Sequence, residues 1–290
     1  MPERKQKTVK ERVEELAAVL EEGVKNFQYT PEELKALLEM KALMPTYSFR
    51  NILVAKAQFP YATFLASLKR WNELGRKVKK GSKAIRIFAP RFKKIEDEET
   101  GEEKQVLIGF ITVPVFALEQ TEGEPLPIDR IKINLEGDSP EARRIIRIAE
   151  MIAGRDGCRV SYRDAMGANG YYQPATHEIV VDESLSMNQR CKTLVHELVH
   201  SKVHRQHTRS STAEKEIVAE GTAFIVCSYF GLDTSDYSFR YVYSWKDRKD
   251  ENPLMTYGTQ ICEIAQKIIE EFQTLMEYTE ETEKKQLRGA

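Results

Sequence analysis

His196-Glu197-Leu198-Val199-His200 restricts this chain more than any other stretch. Two imidazoles four residues apart converge on one point only if the segment is helical, because positions i and i+4 share a helix face. Leu194, Val195, Leu198 and Val199 make the rest of that helix apolar, so burial is expected. The H-E-x-x-H spacing suits zinc, which favours imidazole nitrogens and, in catalytic sites, takes three protein ligands and a water. Glu197 lies beside the first ligand, where it can take a proton from that water. An ordinary helix carrying surface histidines is the competing explanation, and a third ligand decides between them.

The third ligand is expected from a later helix. Val203 stands where a metzincin would have glycine, and Gln206 where it would have its third histidine. Glu216-Ile217-Val218-Ala219-Glu220 offers two carboxylates one turn apart on one face. Glu220-Gly221-Thr222-Ala223 resembles the ligand segment of gluzincin aminopeptidases, and Glu220 followed by Phe224 resembles the third-ligand helix of ImmA/IrrE-type peptidases. On that resemblance Glu220 is favoured as the ligand, with Glu216 holding a histidine by its other nitrogen; the two roles are interchangeable. His204 continues the histidine face by one turn, as a supporting or substrate-contacting residue or as a solvated helix end. His207 is expected on the surface and His177 at the start of a strand.

The remainder of the chain bounds the setting. Its 290 residues, 41% of them apolar, suffice for two domains with real cores. No apolar run approaches the roughly 20 residues of a membrane span. The charged N-terminus lacks a signal-peptide core, so a cytoplasmic location is expected. Four cysteines with no C-x-x-C pair read as reduced thiols, not as a disulfide framework or a cysteine zinc site.

Periodicity predicts helices over residues 9–27, from Thr30-Pro31 onward with Thr30 as cap and Glu33 completing a capping box, and over 48–57 and 62–74, the last stopped by Gly75. Residues 84–88 and 106–117 read as strands joined by a hairpin with its tip at Thr100-Gly101. Residues 119–130 are rich in turn formers and mark a domain boundary. Beyond them a helix is expected from Pro140 to about Ala153, then strands over 158–162 and 178–182, and helices over 187–204, 212–230 and 254–279. The charged tail after Thr279 is expected to fray.

The net charge of −1 conceals an asymmetry. Between Lys41 and Lys94 there are fourteen Lys or Arg residues and one acid, Glu73; from Glu96 to Glu103 there are six acids and no base. A charge run is often only a solvated face. Here aromatics interleave with the cations, as single-stranded nucleic acid binding requires: positive side chains track phosphates and aromatic rings stack on bases. The candidate contacts are Tyr47, Asn51, Lys69, Arg70, Trp71, Arg76, Lys77, Lys79, Lys80, Lys83 and Arg86. This chemistry does not choose DNA over RNA.

An ordered series of motifs resembles the ArdC family of antirestriction proteins of conjugative plasmids and related mobile elements. From Tyr47 to Pro127 it comprises Tyr47-Ser48-x-x-Asn51, Gln58-x-Pro60, Trp71-x-x-x-Gly75-Arg76-x-Val78-x-x-Gly81, Ile87-x-x-Pro90, Val115-Phe116, and Gln120-Thr121-x-Gly123-x-x-Leu126-Pro127. From about 140 to 275 it comprises Gly170-Tyr171-Tyr172, the HELVH segment, Glu216 to Glu220, and Tyr241-x-x-x-Trp245. The link between the metal helix and the third-ligand helix, 205–211, is shorter than in such proteins, and the segment after Trp245 is unusually charged.

The resemblance implies an α+β chain of two domains. Residues 1–127 would be a single-stranded DNA-binding domain of helices and a small antiparallel sheet. Residues 128–290 would be a mostly helical, zincin-like metallopeptidase domain of gluzincin type with a small sheet. Zinc would be held by His196, His200 and Glu220, with Glu197 as the catalytic base. Single-stranded DNA, an unidentified protein or peptide substrate and protection of incoming DNA complete the expectation, with no membrane partner. Tyr171 and Tyr172 are candidates for an electrophile, a substrate-edge strand or plain packing. The alternative is a DNA-coating protein whose zinc site is structural or inactive. A metal-dependent nuclease ranks below both, since such enzymes often use carboxylate-rich two-metal sites.

Overall fold

A computed structural model describes residues 7–96, 103–126, 140–203, 212–232, 239–245 and 252–288. The described residues fall into two compact units, one within Met1–Gln28 and Tyr47–Pro125, the other within Tyr29–Thr46 and Leu126–Ala290.

In the first unit, helix α1 (Val9–Lys25) begins at Thr8, which forms a complete capping box with Glu11. Helix α2 (Pro31–Leu43) belongs to the second unit. Helices α3 (Phe49–Gln58) and α4 (Leu68–Glu73) start at Ser48 and Ser67, whose hydroxyls accept from the N–H groups of Asn51 and Arg70. These bonds satisfy donors that a helix start leaves open. Gly75, at φ 72°, ends α4 in a left-handed conformation that glycine adopts without penalty.

The unit's long ribbon pairs β3 (Ile85–Glu96) with β4 (Glu103–Ala117), antiparallel, from Ile85↔Val115 to Glu96↔Glu103 with a register shift at Arg91/Phe92. Strand β1 (Leu65–Ala66) pairs with the other edge of β4. Strands β2 (Arg76–Val78) and β5 (Thr121–Gly123) form a separate two-stranded strap. Ile85 and Ile87 are buried with Arg86 exposed between them, the period-two signature of a half-buried strand. Farther out the ribbon leaves the core, and Phe92, Ile95, Val106, Leu107, Ile108 and Phe110 are 42% to 52% exposed.

The second unit contains α5 (Pro140–Arg155), β6 (Arg159–Tyr162), β7 (Gly170–Gln173), β8 (Glu178–Val181), α6 (Met187–Val203), α7 (Thr212–Tyr229) and α8 (Pro253–Arg288). A 3₁₀ turn spans Arg240–Trp245 between the last two helices. Its sheet has the order β6-β8-β7, with β6 parallel and β7 antiparallel to the central strand. Ile179, Val180 and Val181 of that strand are fully buried, and Leu194, Val195, Leu198 and Val199 of α6 are at most 1% exposed. Lys202, near the end of α6, pairs with Asp156 at 2.8 Å and with Glu271 of α8 at 2.9 Å. Gly221 lets α7 approach α8 closely: a Cβ there would lie 2.8 Å from Cδ1 of Ile261.

The mixed α/β architecture in two units with small sheets agrees with the sequence reading, and five local expectations are corrected. Residues 62–74 are not one helix; β1 precedes a short α4 because Ser67 caps late and the Phe64 carbonyl accepts from Leu118 N–H. Thr121–Gly123 is a strand of the first unit, held by Arg76↔Gly123 pairing. Residues 170–173 form a strand, β7, where only a connection was expected. Helix α8 continues to Arg288 past the expected end at Thr279. The single cut at residue 127 also gives way: α2 buries Leu34, Leu37, Leu38 and Met40 within the second unit, where it packs on α7. The expected hairpin tip at Thr100-Gly101 lies outside the described residues. The four cysteines are buried. Among the described residues no helix is long and apolar enough to cross a membrane.

Candidate metal centre and nucleic-acid surface

Helix α6 delivers His196 and His200 to one place. Their Nε2 atoms lie 2.9 Å apart, and Nε2 of His200 is 3.5 Å from Oε2 of Glu216 on α7. Potential ligand atoms of these three residues lie within 4.8 Å of one another. Two nitrogens bound to one tetrahedral zinc at ordinary bond lengths would be about 3.3 Å apart, so a small relaxation seats an ion. The donor set, two imidazole nitrogens and a carboxylate oxygen facing one another, fits a divalent cation. Glu216, not Glu220, completes the group. The two are one turn apart on α7; burial pushes the pKa of the Glu216 carboxyl upward, and the charge of Glu220 adds to the rise. His204 and His207 lie outside the described residues. His177 precedes β8 as expected, with Nε2–H donating to the Asp156 carbonyl and Nδ1 accepting from the Tyr172 hydroxyl at 2.8 Å.

Glu197 is 7% exposed. Burial raises its pKa to about 7, the neighbouring charge of Glu216 adds to the rise, and a hydrogen bond from the backbone N–H of Tyr172 partly offsets it. A bound cation would work against the shift, because its charge favours the carboxylate. The Tyr172 N–H reaches Glu197 because β7 lies close to α6. Gly170 permits that approach: a Cβ there would lie 2.6 Å from Cγ2 of Thr193 and 2.7 Å from the Val180 carbonyl. The Gly-Tyr-Tyr sequence therefore acts through glycine's missing side chain and a tyrosine's main chain. An isolated Gly ahead of two aromatics was the available signal.

In the first unit the structure separates the proposed nucleic-acid contacts into two groups. Lys69, Arg70, Lys77, Lys79, Lys80, Lys83 and Arg86 are exposed. Trp71 is fully buried and its indole N–H donates to the Phe116 carbonyl at 2.9 Å, so it is core and not a stacking platform. Arg76 is spent on the strap: it donates to Thr121 Oγ1 at 2.9 Å, to the Gly123 carbonyl at 3.1 Å and to the Glu124 carbonyl. Asn51 is bonded to the backbone of Phe88. Tyr47 is half-buried, and burial raises its hydroxyl pKa. Lys41, the first cation of the basic region, is 1% exposed in the other unit. Burial lowers its pKa, and its ammonium donates to the Pro45 carbonyl at 2.5 Å.

Sequence spacing did not reveal a cavity of about 590 Å³ in this unit, lined by Phe59, Lys79, Ser82, Lys83, Glu119 and Gln120 among others. Its walls come from segments as far apart in sequence as Gln58 and Gln120, so only the fold assembles it.

Residues 6–116 match the N-terminal domain of anti-restriction factor ArdC, and residues 153–282 match the IrrE N-terminal-like domain of the Peptidase_M78 family. A curated relative, an uncharacterized protein of Bacillus anthracis, is 24% identical over 326 aligned positions covering 96% of this chain and 55% of the relative. The chain thus spans about half the length of the curated relative it matches. The Mn(II)-bound crystal structure of the antirestriction ArdC protein from R388 plasmid superposes with a TM-score of 0.50 at 22% identity, covering 78% of this chain and 83% of that one. The metal-free structure of the same protein gives 0.49 at 22% identity, covering 78% and 84%. The chain is therefore similar, in order, to the N-terminal domain of anti-restriction factor ArdC and to the IrrE-like peptidase domain.

Proposed function

We propose that the chain is a single-stranded DNA-binding protein carrying a zinc metallopeptidase-like domain, acting in the cytoplasm to protect the incoming DNA of a mobile element. The observation that carries the peptidase half is the buried Glu197 beside the His196–His200–Glu216 donor set, with strand β7 alongside. An ArdC N-terminal domain whose exposed cations cluster between Lys69 and Arg86 supports the DNA half.

His196, His200 and Glu216 would hold the ion. Zinc suits two imidazoles and a carboxylate, and the Mn(II)-bound ArdC relative also supports a divalent ion here. When bound, the ion supplies Lewis acidity and makes a water acidic. Glu197 takes the proton from the attacking water and passes it to the leaving amine nitrogen. The Tyr172 N–H keeps the Glu197 carboxylate oriented for both transfers. Strand β7 is an edge of its sheet, so an extended peptide can pair along it and present its carbonyl to the site.

The test is metal content of the purified full-length protein beside Glu216→Ala, Glu220→Ala and Glu197→Gln. About one zinc per chain is expected, lost in Glu216→Ala and retained in the other two, with peptide hydrolysis absent in Glu197→Gln. A protein that takes up no zinc after remetallation sinks the peptidase half. Loss only in Glu220→Ala would instead make Glu220 the ligand.

A further inference from the structure

Holding a single strand takes aromatic surface as well as cations, and the buried Trp71 does not supply it. The β3–β4 ribbon does. Between Arg86 and Lys94, β3 carries four cations and no acid, and from Lys104 to Ala117 β4 carries one cation and no acid. The acids of this hairpin are confined to residues 96–103. On the basic part, Phe92, Leu107 and Phe110 are 52%, 50% and 42% exposed. A contiguous apolar patch in solvent is informative where a single exposed side chain is not.

The strand register makes the patch one face. Pro90 lies opposite Phe110, and Phe92 opposite Leu107. Residues 90 and 92 share a face of β3 by the period of two. Leu107 and Phe110 are three apart and would point to opposite faces of a regular strand. The register shift at Arg91/Phe92 adds one residue to β4 between them, so both join the face of Phe92. Gly109, at φ 139°, sits inside that irregularity in a conformation that side chains rarely allow. The bulge thus gathers Pro90, Phe92, Leu107 and Phe110 into one platform. Arg86 and Lys94, exposed on the same face of β3, stand at its two ends, and Lys94 also pairs with Glu103. At the inner end the exposed Arg50 guanidinium lies 5.8 Å from the Phe88 ring centroid.

An apolar protein partner would bury these cations without counter-charge, which is costly. A polyanion neutralises them while its bases cover the rings. We propose that this ribbon face is the base-stacking platform of the first unit, with bases of a bound single strand on Phe92 and Phe110 and its phosphates on Arg50, Arg86 and Lys94. The acidic run 96–103 repels phosphate and so limits the strand's path outward. The proposal rests on the single-stranded DNA reading above and adds where the bases are held.

The test uses the full chain and fluorescence anisotropy with labelled oligo-dT. Phe92→Ala and Phe110→Ala should each weaken binding about 5- to 150-fold, the range for losing one stacked base. The slope of log affinity against log salt should stay as it was, because no phosphate contact is removed. Phe92→Trp should keep its affinity, and its indole emission should fall as the strand binds, over a constant background from the buried Trp71 and Trp245. Thermal melts confirm that all three variants fold. Undiminished affinity in both alanine variants, with no quenching in Phe92→Trp, overturns the platform and leaves the single-strand reading standing. So does a chain that light scattering finds dimeric, and monomeric in Phe92→Ala at undiminished affinity, since the face would then belong to a second copy. Failure of the unmodified chain to bind oligo-dT overturns both.

Discussion

Asn51 faces the backbone of Phe88 with both ends of its amide: Nδ2 donates to the Phe88 carbonyl and Oδ1 accepts from the Phe88 N–H, each at 2.9 Å. Two turns further along α3, Gln58 does the same to Arg86, with bonds of 2.8 and 2.9 Å. Residues 86 and 88 turn their main-chain groups away from β4, to the edge of the sheet that β3 forms. Two amides on one helix face thus cover an open strand edge, which would otherwise invite pairing with another chain.

Asn51→Ala should therefore unfold the first unit more easily, by about 1–3 kcal/mol, since two bonds go and two buried backbone groups lose partners. Gln58→Ala should cost a similar amount. Urea unfolding followed by Trp71 fluorescence reads both. If Asn51→Ala kept its stability and lost affinity for single-stranded DNA, Asn51 would be a DNA contact after all.

The cationic surface makes a separate prediction. Lys79→Glu with Lys80→Glu should weaken single-strand binding and lower the slope of log affinity against log salt by about 0.7 for each phosphate no longer neutralised. Trp71→Phe should leave that slope unchanged, because the ring is core, and should lower stability through removal of its bond to Phe116. Titrations at several salt concentrations separate the two effects; an unchanged slope in the lysine variant would place the strand elsewhere.

The contrast between Trp71 and Lys79 shows what the sequence could convey. Helical and strand periodicities located most elements, because burial follows spacing along one segment. The helix carrying His196, Glu197 and His200 was legible for that reason. The choice between Glu216 and Glu220 was not, since both lie on one face of α7 and only the docking of that helix against α6 decides which reaches the histidines. The same holds for Asn51, Trp71 and Arg76. Polar and aromatic residues near a basic run look alike as DNA contacts or as clamps until their partners, forty residues distant, are known. Lys41 shows the limit most plainly: in sequence it opens the basic stretch like any other of its cations, and the packing of α2 buries it.

Gly170→Ala tests the approach of β7 to α6. The added methyl would meet Thr193 and the Val180 carbonyl, so either strand or helix must shift. The cost should be about 1–3 kcal/mol of stability, the usual range for overpacking. Hydrolysis should fall further than metal content, because β7 orients Glu197 while α6 and α7 hold the donor set. Parallel thermal melts, metal analysis and peptide cleavage assays check this; equal loss of metal and activity would mean that the strand shapes the whole centre.

Glu178 carries a prediction about acid. Its carboxylate accepts from Nη1 and Nη2 of Arg163 at 2.9 and 3.3 Å and from the Ser161 hydroxyl at 2.7 Å, with Nε of Arg159 at 3.3 Å. The hydrogen bonds from Arg163 come first and those from Ser161 second in lowering its pKa to about 2. The folded value lies below the unfolded one, near 4.3 for glutamate. Between the two the unfolded chain binds more protons, so stability rises with pH there. The contribution is complete above the unfolded value and disappears as pH falls towards about 2. Glu178→Gln should thus lower stability at neutral pH and flatten its decline between about pH 4.5 and 2. Chemical denaturation of both proteins across that window measures the difference; parallel curves would mean that the arginines contribute no charge-dependent stability.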